Sequence, residues 1–161
     1  LGQGFLLGVP LPVWFMAGAF AAGYVVLQHT RFGRHLYAVG GNAEAARLAG
    51  VPVRRTLLLV YVINTVLAVL AGIIHAGRLG SGEPTAGQGF ELDVIAAVVL
   101  GGTSLSGGEG SLLGTLVGSF VIGFLSNGLV LMGLNPLGQP VVIGAVILAA
   151  VALNQIRSRL R

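Results

Sequence analysis

The side chains that could carry covalent chemistry are few and lie far apart along the chain. Glu91 and Asp93 are two positions apart, but a catalytic carboxylate pair needs a pocket and a partner acid or base, and the neighbouring residues offer neither. We expect them to mark a helix start, where acidic residues are favoured. His75 stands alone in an apolar run, which favours a packing role. The chain has no Cys, which excludes disulfides and Cys-based metal sites, and it has no HExxH motif, Ser-His-Asp order or metal-ligand spacing. The sequence therefore predicts no catalytic residue, no metal site and no cofactor.

One short motif points to nucleotide chemistry. LSGGE, residues Leu105–Glu109, differs by one letter from LSGGQ, the signature sequence of ABC-type ATPases. Such an ATPase also needs a Walker A loop, GxxxxGK[ST], whose Lys reaches the β- and γ-phosphates. All nine positively charged side chains here are Arg, so no Walker A loop can form. The chain is therefore predicted not to hydrolyse ATP.

The glycines in and after LSGGE need another explanation. Gly110, Gly114 and Gly118 recur every fourth residue, which places them on one face of a helix. Such faces let transmembrane helices pack closely. The main prediction is a tight turn beside a packed helix, and the alternative is a gate or substrate path. The residues concerned are Gly101, Gly102, Gly107, Gly108, Gly110, Gly114 and Gly118.

The composition indicates an integral membrane protein. The chain has 55% hydrophobic and 9% charged residues, against about 25% charged in a soluble domain, and its mean hydropathy is +0.91. The net charge of +4 comes from Arg residues between apolar blocks, which favours a lipid bilayer over nucleic acid as partner. The chain begins at Leu1 without a basic leader, so we expect no signal peptide and a fragment of a longer protein.

Apolar blocks predict an all-α integral membrane fold with about five transmembrane helices in one partial domain, 1–161. Each block must supply about 20 apolar helical residues to cross a bilayer. Four blocks are long enough, and a fifth, Leu92–Leu105, is short and runs into glycines. The four are Leu11–Gln28, Thr56–Gly77, Ser111–Leu134 and Leu137–Ile156.

The distribution of Arg predicts the orientation. Five Arg lie in the segment 29–55 and three in the last five residues, and Arg-rich short segments stay in the cytoplasm. An even number of crossings must separate them, so Leu92–Leu105 is predicted to cross as a short or broken helix. Residues 1–10 and the loop 78–91 are then periplasmic, and the C-terminus is cytoplasmic.

Polar residues within the apolar blocks are candidates for a substrate pathway. Polar groups in a bilayer must find partners within the bundle. They can either line a pathway or bond neighbouring helices, and the sequence leaves both interpretations open. The residues are Asn64, Thr65, Ser126 and Asn127.

The cytoplasmic segment contains a short, well-marked helix. Asn42 can cap a helix over Ala43–Ala49, with Glu44 in its first turn and Arg47 towards its end. Gly50 can supply the left-handed stop. A helix this short is unstable alone, so it must pack on the membrane or its own bundle, or on a cytoplasmic partner. The residues alone do not separate these alternatives.

Two long stretches resemble a known family. FGRHLYAVGGNAEAARLAGV (Phe32–Val51) and FELDVIAAVVLGGTSLSGGEGSLLGTLVG (Phe90–Gly118) are similar to permease subunits of ribose-, xylose- and galactose-type ABC importers. These belong with branched-chain amino acid permeases. The resemblance runs from about Val13 to the C-terminus and covers the family's C-terminal half, so about five N-terminal helices are expected elsewhere. It implies half of a type II ABC importer permease in a bacterial inner membrane.

The resemblance also implies partners. Two permease copies, as a homodimer, form the pathway, two cytoplasmic ABC ATPases drive it, and a periplasmic sugar-binding protein delivers the substrate, with 78–91 as a candidate contact. The segment of about 42–50 matches the family's ATPase-coupling helix, by Asn42, Ala43, Glu44, Ala46, Arg47, Leu48, Gly50 and Val51. The alternatives are an amino acid cargo, or a truncated membrane fragment that does not transport.

Overall fold

The computed structural model describes residues 4–82, 85, 87–133, 138, 141–146 and 148. The chain divides into two compact units, Leu1–Ala86 and Gly87–Arg161, which are described separately below. In chain order the elements are β1 (Phe5–Leu6), β2 (Val9–Pro10), α1 (Leu11–His29), α2 (Arg31–Gly41), α3 (Ala43–Leu48), α4 (Val53–Leu79), α5 (Phe90–Leu100) and α6 (Leu112–Leu131).

Among the residues that the structure describes, three helices are long and apolar enough to cross a membrane: α1, α4 and α6. They confirm the predicted helices Leu11–Gln28, Thr56–Gly77 and Ser111–Leu134 to within a few residues at each end. In α4 the helix begins three residues earlier than predicted, at Val53, so two arginines belong to its first turn. The apolar windows of α1 and α4 bury none of their residues within the chain, as expected for helices that face lipid or further helices.

The weakest predicted span is a short helix followed by a loop. α5 has 11 residues and is therefore about 16 Å long, roughly half the ~30 Å hydrocarbon core of a bilayer. Crossing by Leu92–Leu105 would need the loop after Leu100, so it stays a prediction. Of the last predicted span, Leu137–Ile156, residues 141–146 are helical, and most of the remainder lies outside the described residues.

The second unit has a small core where α5 meets α6. Ala96 and Ala97 of α5 are buried with Ile122 of α6 and Ile143, and Leu100 packs against them. Small side chains on α5 let the two helix backbones approach closely, as is usual where transmembrane helices pack. This packing places the end of α5 directly beside the first turns of α6.

Two elements of the first unit were not foreseen. Residues 5–10 form a two-stranded antiparallel hairpin, with Leu7 and Gly8 both at positive φ in its turn. Such turns favour Asn-Gly or Gly-Gly, so the pair Leu-Gly carried a weak signal. Trp14 Nε1 donates a hydrogen bond to the Leu6 carbonyl at 3.3 Å, which ties the hairpin to α1.

The second unforeseen element is α2, an amphipathic helix directly after α1. Phe32, Leu36 and Val39 follow the i, i+4, i+7 spacing of a helical face. Thr30 caps it, because its Oγ1 accepts a hydrogen bond from the Gly33 amide at 3.3 Å. Three glycines among its 11 residues obscured the pattern. α2 contacts α1, α3 and α4 and so connects the helices of this unit.

Candidate functional site

Asn42 ends one helix and begins the next. Its backbone N–H donates to the Ala38 carbonyl at 3.1 Å and closes the last turn of α2. Its side-chain Oδ1 accepts from the Ala45 amide at 2.9 Å and caps α3. This is the side-chain bond that a helix N-cap provides. Asn42 is the single residue between α2 and α3.

The other end of α3 is closed by a Schellman motif. Gly50 has φ +83°, the left-handed conformation that glycine adopts without a Cβ penalty. Its amide donates to the Arg47 carbonyl at 3.0 Å, and the Val51 amide donates to the Ala46 carbonyl at 2.9 Å. The helix runs from Ala43 to Leu48, one residue shorter than the predicted Ala43–Ala49.

The two faces of α3 differ. Ala46 is buried, with 5% of its surface exposed, and it faces the helices that α3 contacts, α2 and α4. Glu44, Arg47 and Leu48 share the opposite face by their i, i+3, i+4 spacing. Glu44 and Arg47 form an exposed ion pair of 2.8 Å, and Leu48 is 80% exposed. Ala43 is also exposed.

This exposed face is suited to a protein partner. An exposed leucine beside a mixed-charge pair offers apolar contact together with polar specificity, whereas a helix lying on lipid needs a continuous apolar face. α3 has no such face, because its one buried side chain is an alanine that packs on its own unit. The structure thus packs α3 on its own unit through Ala46 and leaves the face of Glu44, Arg47 and Leu48 exposed.

α5, α6 and the loop 101–111 between them form a helical hairpin, called the glycine hairpin below, with close backbone contacts. A Cβ added to Gly118 would overlap the Ala97 carbonyl oxygen, and one added to Gly114 would overlap the Gly101 carbonyl. A Cβ on Gly110 would lie 2.9 Å from Cγ2 of Thr103. Gly114 and Gly118 of α6 thus lie against the end of α5 and the residue that follows it, whereas Gly110 lies before α6 begins and contacts Thr103 of the loop.

The LSGGE motif forms the turn between α5 and α6. The Ser104 amide donates to the Glu109 carbonyl at 3.0 Å, which closes the loop. Gly107 and Gly108 lie inside it with φ of +87° and +77°, and Gly102 has φ +84°. In this turn the glycines of the motif serve the backbone, and Leu105 is left 70% exposed.

The polar candidates within the long helices lie in different environments. Asn64 and Thr65 are exposed on α4, and Thr65 Oγ1 donates back to the Tyr61 carbonyl at 2.8 Å. On α6, Ser126 is half-buried and Asn127 is exposed. Among the described residues there is no cluster of three His, Cys, Asp or Glu side chains that could hold a metal ion.

The chain matches one family model over residues 4–151, described as branched-chain amino acid transport system, permease component. It is 53% identical over 153 residues to the ribose import permease protein RbsC of Escherichia coli (strain K12), covering 95% of this chain and 48% of that protein.

Two further relatives agree. The ribose import permease protein RbsC of Bacillus subtilis (strain 168) is 50% identical, over 98% of this chain and 49% of that protein. The xylose transport system permease protein XylH of Escherichia coli (strain K12) is 45% identical, over 94% of this chain and 39% of that protein. The chain thus spans at most about half the length of these curated relatives. No solved structure matches it. The matched range and these identities show that the chain belongs to the permease family of branched-chain amino acid and sugar importers.

Proposed function

We propose that this chain forms part of the membrane permease of an ATP-driven importer for a ribose-like monosaccharide. The observation that carries the proposal is 53% identity to a ribose import permease over 95% of the chain. The long apolar helices α1, α4 and α6 supply the membrane-spanning part. A second permease copy and a periplasmic sugar-binding protein complete the transporter, and the loop 78–91 is a candidate contact for the latter.

Cargo is tested by a chimera. This chain replaces the matching half of the Escherichia coli ribose import permease in a strain that lacks its own permease, and uptake of radiolabelled ribose is measured. We expect ribose uptake above that of the empty strain. No uptake by a chimera that reaches the membrane in normal amount would contradict the proposal.

A second candidate cargo is a branched-chain amino acid, which the description of the matching family model favours. The same chimera is supplied with a branched-chain amino acid binding protein in place of the sugar-binding protein. Leucine uptake without ribose uptake would establish this alternative. The sugar proposal predicts the reverse.

ATP hydrolysis is assigned to a separate cytoplasmic subunit that contacts α3. In this proposal, closure of the ATPases moves residues 42–51, and α2 and α4 tilt with them because α3 packs on both. The tilt switches the pathway between outward-open and inward-open states. Supporting it are the exposed face of Glu44, Arg47 and Leu48 and the fixed ends of α3.

The contact is tested by co-purification of the ATPase. Leu48→Asp places a charge where an exposed leucine would be desolvated by a partner, so we expect at least about a tenfold loss of bound ATPase. Leu7→Asp is the matched control, because Leu7 on the N-terminal hairpin is 88% exposed, close to the 80% of Leu48.

Two results would change this assignment. Equal loss in both variants, or none in either, removes α3 as the contact. If the parent chain binds no ATPase at all, the non-transporting membrane fragment is the better description.

The remaining candidate residues receive roles in the same scheme. We propose that the glycine hairpin mainly packs α5 against α6, with a gate as the alternative, and that the polar residues of α4 and α6 either face the pathway or bond neighbouring helices. Thr65→Val keeps the side-chain volume and removes the hydroxyl, so in the chimera it should alter sugar uptake. An unchanged uptake would assign Thr65 to its bond with the Tyr61 carbonyl alone.

A further inference from the structure

Four exposed arginines lie beside the ends of two membrane-length helices. Arg31 and Arg34 are on α2, which begins two residues after α1 ends at His29. Arg54 and Arg55 are in the first turn of α4. All four side chains are exposed. We refer to Arg31, Arg34, Arg54 and Arg55 as the arginine collar.

No carboxylate in residues 29–55 is left to neutralise the collar arginines. Residues 29–55 contain five Arg and one Glu, which gives a net charge of +4. The one carboxylate, Glu44, is bonded to Arg47 at 2.8 Å. Within the part of the chain that the structure describes, no collar arginine forms an ion pair.

The position of the collar is fixed by packing. The apolar side of α2 faces the bundle, with Gly33 and Val39 buried. Gly33 lies so close to the Leu27 backbone that a Cβ there would overlap it. α2 also contacts α4. Arg31 and Arg34 are therefore held next to the end of α1, where a membrane-spanning helix reaches the headgroup layer.

We propose that the arginine collar binds anionic phospholipid headgroups of the bilayer. Clusters of four or more basic residues immediately next to a transmembrane helix have the charge and depth to do so. The planar guanidinium pairs with phosphate oxygens by two parallel hydrogen bonds. The proposal rests on the membrane-spanning placement of α1 and α4, and on no assumption about cargo or ATPase.

An acidic protein surface is the competing partner, and the placement argues against it. The collar residues adjoin the two helices that enter the membrane, whereas α3 presents the face with mixed charge and an exposed leucine. A headgroup layer is available to the collar wherever α1 and α4 are inserted. Lipid is thus the partner that position and charge favour together.

The test uses the full 161-residue chain, purified in micelles that contain equal amounts of phosphatidylglycerol and phosphatidylcholine. Native mass spectrometry counts the lipids retained on each protein. We expect phosphatidylglycerol to be enriched over phosphatidylcholine, and the enrichment to fall as salt is raised. The double variants Arg31→Gln/Arg34→Gln and Arg54→Gln/Arg55→Gln should each reduce it, by up to about fivefold per arginine.

Two controls separate charge from structure. Arg78→Gln removes an exposed arginine at the other end of α4 and should leave the enrichment unchanged. Replacing all four collar arginines with Lys keeps the charge and should preserve most of the enrichment.

Several outcomes would overturn the proposal: equal retention of both lipids by the parent chain, unchanged enrichment in both double variants, or an equal loss in Arg78→Gln. In a separate co-purification experiment, loss of bound ATPase in the double variants, with lipid enrichment unchanged, would assign the collar to a protein partner. If the double variants do not fold, the parent chain alone provides the test. Phosphatidylglycerol enrichment that does not fall as salt is raised would then overturn the proposal. The assay contains neither ATPase nor sugar, so its failure is distinct from failure of the proposed function.

Discussion

At the scale of single residues, the closest contacts between α5 and α6 occur at glycines, because glycine has no Cβ to keep the backbones apart. Gly118 and Gly114 have no Cβ, and the carbonyls of Ala97 and Gly101 occupy the space where one would stand. Two helices that meet this closely exchange van der Waals contact along their backbones, which is a main source of helix association in lipid. The stability of the glycine hairpin of α5 and α6 therefore depends on specific glycines.

Gly118→Ala should destabilise the hairpin by about 1–3 kcal/mol, because the added methyl group forces α5 and α6 apart. Gly123→Ala is the matched control on the same helix, since a Cβ there would meet nothing within 4 Å. Thermal unfolding in detergent compares the two. A melting temperature that falls equally in both variants would contradict the packing assigned to Gly118.

Asn42→Ala should cost about 1 kcal/mol, because the Ala45 amide loses its side-chain acceptor. Asn42→Asp keeps an acceptor at the same position and should behave like the parent. Hydrogen exchange of the α3 amides measures the change directly. Unaltered exchange at Ala45 in the alanine variant would show that the cap is not needed.

At the scale of elements, sequence reasoning succeeded where the chain marks its own boundaries. Asn42 and Gly50 are strong start and stop residues, and α3 was placed to within one residue. The long spans were found because each contains about the 20 apolar residues that a bilayer requires. The hairpin at 5–10 and α2 were missed, because Leu-Gly is a weak turn signal and glycines interrupt the apolar face of α2.

Gly50→Ala tests the end of α3. Any residue with a Cβ is strained at φ +83°, by about 1–2 kcal/mol, so the Schellman closure should weaken. We expect faster exchange of the Val51 amide. Gly72→Ala is the control, because Gly72 is an exposed helical glycine of α4 with open space around it. Equal exchange in both variants would show that the left-handed stop is dispensable.

At the scale of the whole molecule, the sidedness of the membrane helices follows from charge, and it stays a prediction. α5 alone is too short to cross a bilayer. The coupling, pathway and gate assignments likewise stay proposals. Such roles need the resemblance to known permeases, because short-range pattern shows only that the residues are exposed or closely packed.

Single-cysteine labelling tests the orientation, since the chain has no Cys of its own. With an impermeant maleimide on intact spheroplasts, Ser81→Cys should be labelled and Ala45→Cys should be protected until the membrane is opened. Ser106→Cys in the LSGGE loop decides the disputed crossing. Protection like that of Ala45→Cys means that Leu92–Leu105 crosses the membrane. Labelling like that of Ser81→Cys means that it does not.

The joint at Asn42 has a mechanical consequence. One residue separates α2 from α3, and hydrogen bonds to Ala38 and from Ala45 hold it on both sides. A joint of this kind has little compliance, so a torque applied to α3 is passed to α2 with little loss in bending. We therefore expect the coupling of ATP hydrolysis to transport to depend on the stiffness of this joint as much as on the contact between α3 and the ATPase. Inserting two glycines after Asn42 should leave ATPase binding largely intact and uncouple ATP hydrolysis from uptake in the chimera.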